Sequence, residues 1–147
     1  MVFISDLTNA DSLPVLTTSV SFIARRQELI AGNVANLSTP TYRPMDVSIG
    51  GFQEKLADAI AGRREAWGGQ RGDLVARDSR EVEHRDDGTV MLKPSEMGRN
   101  VLFHDRNDRD LERTMQDLSE NLAAFRVATD LLRTRMDLLN SAIRERA

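Results

Sequence analysis

The stretch that decides the fold is Asn33-Val34-Ala35-Asn36-Leu37-Ser38-Thr39-Pro40-Thr41-Tyr42-Arg43. Proline disfavours helical backbone at the residue before it, so Pro40 predicts that the preceding helix ends near Leu37 or Ser38. Asn33 and Asn36 are poor residues for a helix interior, but in a last turn their amides can hydrogen-bond unpaired carbonyls or the returning loop. The stretch therefore predicts a helix that stops abruptly, followed by a chain that leaves it in a new direction.

Two helices with heptad patterns flank this stretch and the segment after it. Their apolar residues alternate in steps of three and four, which is typical of a coiled-coil seam, and one polar residue interrupts each seam, Gln27 in the first and Thr129 in the second. A seam this narrow favours a partner helix over a sheet. The seam of the N-terminal helix is predicted to contain Leu16, Val20, Ile23, Ile30 and Val34. The seam of the C-terminal helix is predicted to contain Leu118, Leu122, Phe125, Leu132, Met136, Leu139 and Ile143.

Between the two helices, the sequence predicts one short helix and a polar irregular segment. The short helix covers residues 52–60, whose apolar side chains share a face, and Gly62 is suited to end it. Residues 63–99 are rich in charge and poor in large apolar side chains, so we expect a solvated loop. Within it, residues 81–85 and 89–93 could pair as a small β-hairpin. Because an isolated hairpin is marginal in water, we expect it to depend on assembly contacts.

The predicted fold class is mainly α, with the long terminal helices paired as a coiled-coil hairpin around an irregular middle segment. The predicted organisation has four segments. They are a mobile N-terminal segment at 1–12, the first coiled-coil helix at 13–38, the turn with the short helix and irregular segment at 39–106, and the second coiled-coil helix at 107–147.

The composition favours a structural protein over an enzyme. A net charge of -3 and a pI of about 5.4 argue against a nucleic-acid binder, which would carry a basic face. The absence of cysteine excludes disulfides and thiolate metal sites, while His84 and His104 lack a second ligand at metal-binding spacing. The glycines within residues 68–72 lack the Lys-Ser/Thr ending of a phosphate-binding loop. We therefore expect no catalytic residue, cofactor or metal.

The chain also lacks the sequence features of membrane insertion and of secretion by a cleaved signal. No segment approaches the ~20 consecutive apolar residues of a membrane span. The first residues have neither the basic start nor the continuous apolar core of a secretory signal peptide. These features by themselves predict a cytosolic protein that does not insert directly into a membrane.

The opening stretch resembles the signature that follows the N-terminal helix of bacterial flagellar rod and hook proteins. Within that family, residues 112–143 are most similar to the FlgB family of proximal rod proteins. Thr41 departs from the signature, which usually has Gly at this position; if that Gly serves a positive φ, a β-branched residue there is strained. The residues that match the signature are Asn33, Ala35, Asn36, Thr39, Pro40, Tyr42 and Arg43.

The resemblance implies that the terminal helices run antiparallel and that the protein is structural. It implies a self-assembling subunit of the proximal rod of the flagellar basal body, which transmits torque from the membrane ring to the distal rod and hook. The implied partners are other rod subunits, the membrane (MS) ring protein and the rod adaptor. The implied location is the periplasmic rod, reached by type III export without a cleaved signal peptide. Two alternatives remain open: another proximal rod protein of the FlgC type, and a soluble helical-hairpin adaptor or export chaperone.

Overall fold

A computed structural model describes residues 12–68, 72–85, 89–96 and 111–145 of the chain. The predictions of a mobile segment before Ser12, of a helix start near residue 107 and of an isolated His104 lie outside these residues. The described elements, in chain order, are α1 (Leu13–Ala35), β1 (Met45–Asp46), α2 (Ile49–Trp67), β2 (Val82–His84), β3 (Val90–Leu92), β4 (Ser95–Glu96) and α3 (Leu111–Arg144).

The mainly helical class, the packing of the two long terminal helices and the small hairpin are confirmed. Helix α1 begins with Pro14 in its first turn, where the missing N–H would have had no partner in the helix. It ends at Ala35 with Asn36 as the C-cap, two to three residues before the predicted end. The chain then continues in turns, in which the N–H of Leu37 donates to the carbonyl of Val34.

Helix α2 is longer than the predicted short helix. It starts after Ser48, whose hydroxyl accepts from the backbone N–H of Gly51 at 3.0 Å, and it runs through Gly62 to Trp67. A glycine inside a helix costs only about 1 kcal/mol, and the residues after Gly62 are mostly strong helix formers. The helix ends at Gly68, where φ is 70° and the left-handed backbone suits a residue without a Cβ.

The core lies between α1, α2 and the hairpin. The rings of Phe22 and Phe52 stack with their centroids 3.9 Å apart and an angle of 4° between their planes. Val47, Val82 and Val90 complete the buried cluster. Helix α1 is therefore central, because the hairpin and α2 cover one side of it while α3 packs against another.

The hairpin finds its support inside the chain, which corrects the expectation that it would depend on assembly contacts. Strands β2 and β3 pair antiparallel with Glu83 opposite Met91. Val82 and Val90 are each 2% exposed, and the N–H of Val90 donates to the hydroxyl of Ser21 on α1 at 3.0 Å. These two strand valines face inward and are buried against the rest of the chain, which supplies the burial that an isolated hairpin lacks.

Helix α3 does not turn the predicted seam squarely toward the rest of the chain. Its buried residues are Thr114, Asn121 and Ala128, which recur every seven positions. Each lies one residue before a position of the heptad pattern, at 115, 122 and 129. Leu118, Phe125, Leu132 and Leu139 are partly buried. Leu122, Met136 and Ile143, also predicted for the seam, are instead 40%, 44% and 47% exposed.

The buried face of α3 is offset by one residue from the predicted seam, and the physical reason is Asn121, the middle one of the three buried residues. The amide Nδ2 of Asn121 donates to the carbonyl of Ile23 at 3.1 Å and to Oε1 of Gln27 at 2.7 Å. A buried amide needs such partners, and small residues such as Thr114 and Ala128 can occupy a close helix contact. The polar interruption at Gln27 thus has its partner on α3, one position away from the predicted register.

Candidate assembly site

The loop that leaves α1, residues 36–48, is called the exit loop here, and the side chain of Asn33 fixes its far end. Asn33 is 3% exposed. Its Nδ2 donates to the carbonyl of Met45 at 2.8 Å, while its Oδ1 accepts from the N–H of Met45 at 3.0 Å and from the hydroxyl of Tyr42 at 2.9 Å. One amide therefore pairs with both backbone groups of a residue twelve positions later, as a neighbouring strand would.

Asn36 fixes the near end of the exit loop. Its Nδ2 donates to the carbonyl of Gly32 at 2.9 Å, and the same carbonyl also accepts from the backbone N–H of Asn36 at 3.1 Å. Its Oδ1 accepts from the hydroxyl of Thr39 at 3.3 Å, and its backbone carbonyl accepts from the N–H of Thr39 at 2.9 Å. Asn33 thus bonds the returning loop as the sequence suggested, whereas Asn36 bonds a carbonyl of the last helical turn that already has a backbone donor.

Thr41 carries the strained backbone of the exit loop. Its φ is 64°, a left-handed value that no other non-glycine residue shows in the described part of the chain. β-Branched side chains avoid this region because their Cβ substituents crowd the backbone. Its hydroxyl donates to the carbonyl of Pro40 at 2.6 Å. The departure from the family signature at this position therefore stores strain in the turn.

A buried ion pair ties the exit loop to the middle of α1. Arg26 is 4% exposed, and its Nε and Nη2 contact the two carboxylate oxygens of Asp46 at 2.9 and 2.6 Å. The same guanidinium lies 3.8 Å from the carboxylate of Asp117 on α3. Burial raises the pKa of Asp117, and the nearby Arg26 charge opposes that rise. Arg26 thus links three segments, although its bidentate partner is Asp46 alone.

The exit loop is also held from the side of the middle segment. Strand β1 pairs antiparallel with β4, Met45 opposite Glu96. Arg43 contacts the carboxylate of Glu96 at 2.6 Å, but both side chains are more than half exposed, so the pair contributes little. Glu81 accepts from the N–H of Ser48 at 2.7 Å. The remaining signature residues, Ala35 and Pro40, are exposed.

An exposed apolar surface runs along α3, and we call it the α3 stripe. It consists of Met115, Leu122, Met136 and Ile143, which are 40% to 47% exposed. Thr129 occupies the remaining seven-residue position and is partly buried, with its hydroxyl donating to the carbonyl of Phe125 at 2.8 Å. Further apolar side chains, more than half exposed, occupy other faces of the helix: Val127, Leu131 and Leu138. Apolar side chains exposed at a regular spacing along one helix make this surface a candidate interaction site.

Sequence reasoning missed several residues of this site. Arg26 and Asp46 were absent from the prediction because charged residues are rarely buried unless they are paired, and no local pattern links positions twenty apart. Asn121 was missed because a pattern of apolar residues places polar ones outside the seam. The available signal was the heptad spacing of Asn121 with Thr114 and Ala128.

The described residues offer little for other kinds of site. Within residues 12–68, 72–85, 89–96 and 111–145, no cluster of acidic and histidine side chains could hold a metal ion. His84 has its Nδ1 3.7 Å from a carboxylate oxygen of Asp78. No helix among the described residues is long and apolar enough to cross a membrane. No family model matches the chain, and no curated protein matches it.

Proposed function

We propose that this protein is a structural subunit of the proximal rod of the bacterial flagellar basal body, of the FlgB type. The observation that carries the proposal is the α3 stripe, combined with the signature residues of the exit loop. Exposed apolar side chains at a seven-residue period suit a neighbouring helix, which would bury them in a second seam. A subunit packed among others in a tube needs such a surface in addition to its internal seam.

The contacts between α1 and α3 support an antiparallel pair. Asp117, early in α3, lies beside Arg26, and Asn121 contacts Ile23 and Gln27. One turn later, Ala124 shares a cavity wall with Ser19, farther toward the start of α1. Residue numbers thus rise on α3 as they fall on α1. In this direction the last part of α3 extends past the start of α1, which fits the exposure of nearly all residues in 133–145.

The exit loop suits the transmission of torque. A subunit that passes torque between neighbours must hold its middle segment at a fixed angle to its helices. Asn33 and Arg26 fix that angle by hydrogen bonds to Met45 and Asp46, the two residues of β1. The signature residues act in this proposal through geometry rather than through direct contact with a partner.

The proposed partners are other rod subunits, further copies of this chain, the MS ring protein and the rod adaptor, and the proposed location is the periplasmic rod. The test is copurification of an epitope-tagged chain with basal bodies from cells that encode it. We expect the chain to remain in basal bodies after washing in high salt, because an apolar seam is not weakened by screening. Complete loss in the wash would contradict the proposal and favour the soluble adaptor or chaperone.

A further inference from the structure

A second apolar surface lies apart from the α3 stripe, in a groove between α2 and α3. Its floor is formed by Phe22 and Ile23 of α1. One wall carries Ile49, Phe52 and Leu56 of α2, and the opposite wall includes Ala124 of α3. The cavity measures about 400 Å³ and its walls are mainly apolar. That volume is near the lower end for ligand-sized clefts, so it suits a few side chains of one extended strand rather than the face of a helix.

We propose that this groove, called the α2–α3 groove, binds the first residues of the same chain, Val2 to Leu7. This inference does not depend on the proposed function. Five of the first seven residues are apolar, namely Met1, Val2, Phe3, Ile4 and Leu7, and they immediately precede α1. An apolar run of this kind gains by leaving water, at about 25 cal/mol for each Å² buried.

The reach of the segment matches the position of the groove. The α1 residues that border the groove extend from Ser19 to Arg26, which is about 10 to 21 Å along the helix from Ser12 at 1.5 Å per residue. An extended chain covers about 3.3 Å per residue, so Leu7 can reach about 16 Å back from Ser12 and Ile4 about 26 Å. The apolar residues can therefore lie alongside the full length of the groove.

Tethering favours this occupant over a second copy of the chain. A segment joined by a short linker acts at an effective concentration in the millimolar range. At micromolar protein, a second copy would need an affinity about a thousandfold higher to displace it. The groove is thus filled within one chain unless a tighter partner competes.

Crosslinking tests the proposal directly because the chain contains no native cysteine. Ile4→Cys is combined with Gln53→Cys, since Gln53 is exposed and borders the groove. The matched control combines Ile4→Cys with Asp58→Cys, because Asp58 is exposed, does not border the groove and lies about 140° around α2 from Gln53. Each purified full-length chain is treated with a short bismaleimide, and products are resolved by mass spectrometry.

We expect the Gln53 pair to crosslink within one chain about tenfold faster than the Asp58 pair, at a rate independent of protein concentration. Equal rates for the two pairs would overturn the proposal. Mixing isotopically labelled and unlabelled chains identifies crosslinks between copies. A predominance of such crosslinks at the Gln53 pair would assign the groove to a second copy and likewise overturn it.

Discussion

The exit loop and the α3 stripe differ in whether the side chains that define them find partners within one chain. The exit loop is held by Asn33 and Arg26 of α1, whose polar groups are almost fully buried and are each paired within the chain. Along the α3 stripe, apolar side chains stay 40% to 47% exposed. Burying a polar group is costly unless it is paired. These pairs form within a single chain, so the exit loop needs no partner to satisfy them. Exposed apolar side chains gain when a partner covers them, so the proposed function predicts that neighbouring subunits cover the stripe.

The largest effect on stability is expected from Arg26→Ala. This change leaves the carboxylate of Asp46, which is 13% exposed, without its bidentate partner. Removing one member of a buried ion pair costs about 3–5 kcal/mol. Urea unfolding measures the loss, with Arg25→Ala as the matched control, because Arg25 pairs with Glu28 on the exposed face and its pair is worth at most about 1 kcal/mol. Similar losses in the two variants would show that the exit loop is not fixed by Arg26.

The next effect concerns the two asparagines. Asn33→Ala removes three hydrogen bonds and leaves the N–H and carbonyl of Met45 without their partner, for an expected loss of about 2–3 kcal/mol. Asn36→Ala removes one bond to the carbonyl of Gly32 and a weaker one from Thr39, for about 1 kcal/mol. The same unfolding experiment ranks the two. A larger loss for Asn36 would reverse the roles assigned to them.

A stabilising change is expected at Thr41. Thr41→Gly relieves a left-handed backbone at φ 64°, and the gain of about 1–2 kcal/mol is partly offset by the flexibility of glycine in the unfolded chain. We expect a net increase of about 0.5–1 kcal/mol in the free energy of unfolding. Thr39→Gly provides the control, since Thr39 does not have a positive φ and should lose stability. A lower free energy of unfolding in both variants would show that the backbone at Thr41 is not strained.

A smaller effect, visible mainly in its pH dependence, is expected from Asp117→Asn. Burial raises the pKa of Asp117 in the folded protein above its usual value near 3.8. Ionisation is therefore harder in the folded chain than in the unfolded chain, and its cost to stability grows as pH rises from 3.8 through the raised pKa. The variant lacks this cost. Its stability relative to the parent should rise across that window and then become constant; a fall across the window would contradict the assignment.

The terminal helices and the hairpin could be predicted from sequence because their signals are periodic. Heptad spacing marked α1 and α3, and two short stretches on either side of a turn, residues 81–85 and 89–93, marked β2 and β3. The predicted end of α2 was wrong. Gly62 is a plausible helix stop, but the helix ends at Gly68, which has a positive φ. A single glycine signal does not distinguish these positions when the residues between them favour helix.

The register of α3 and the buried polar pairs required tertiary information. A periodic pattern identifies apolar residues but not which face approaches a neighbour, and both faces of α3 carry them. The contact through Asn121 depends on Gln27, which lies 94 positions earlier. The link from Arg26 to Asp46 depends on a turn whose geometry is set by Asn33 and Thr41. Such pairings arise from the fold and leave no mark at short range in the sequence.

The central claim is that the α3 stripe is an assembly surface rather than part of the internal core, and the double variant Leu122→Asp, Met136→Asp tests it most directly. The measurement is the amount of the variant in purified basal bodies, taken together with its free energy of unfolding as an isolated chain. Ala123→Asp is the control, since Ala123 is exposed on α3 beside the stripe. We predict that the double variant unfolds within about 0.5 kcal/mol of the control yet is absent from basal bodies that retain the control. A double variant that enters basal bodies normally, or one that unfolds as an isolated chain, would contradict the account.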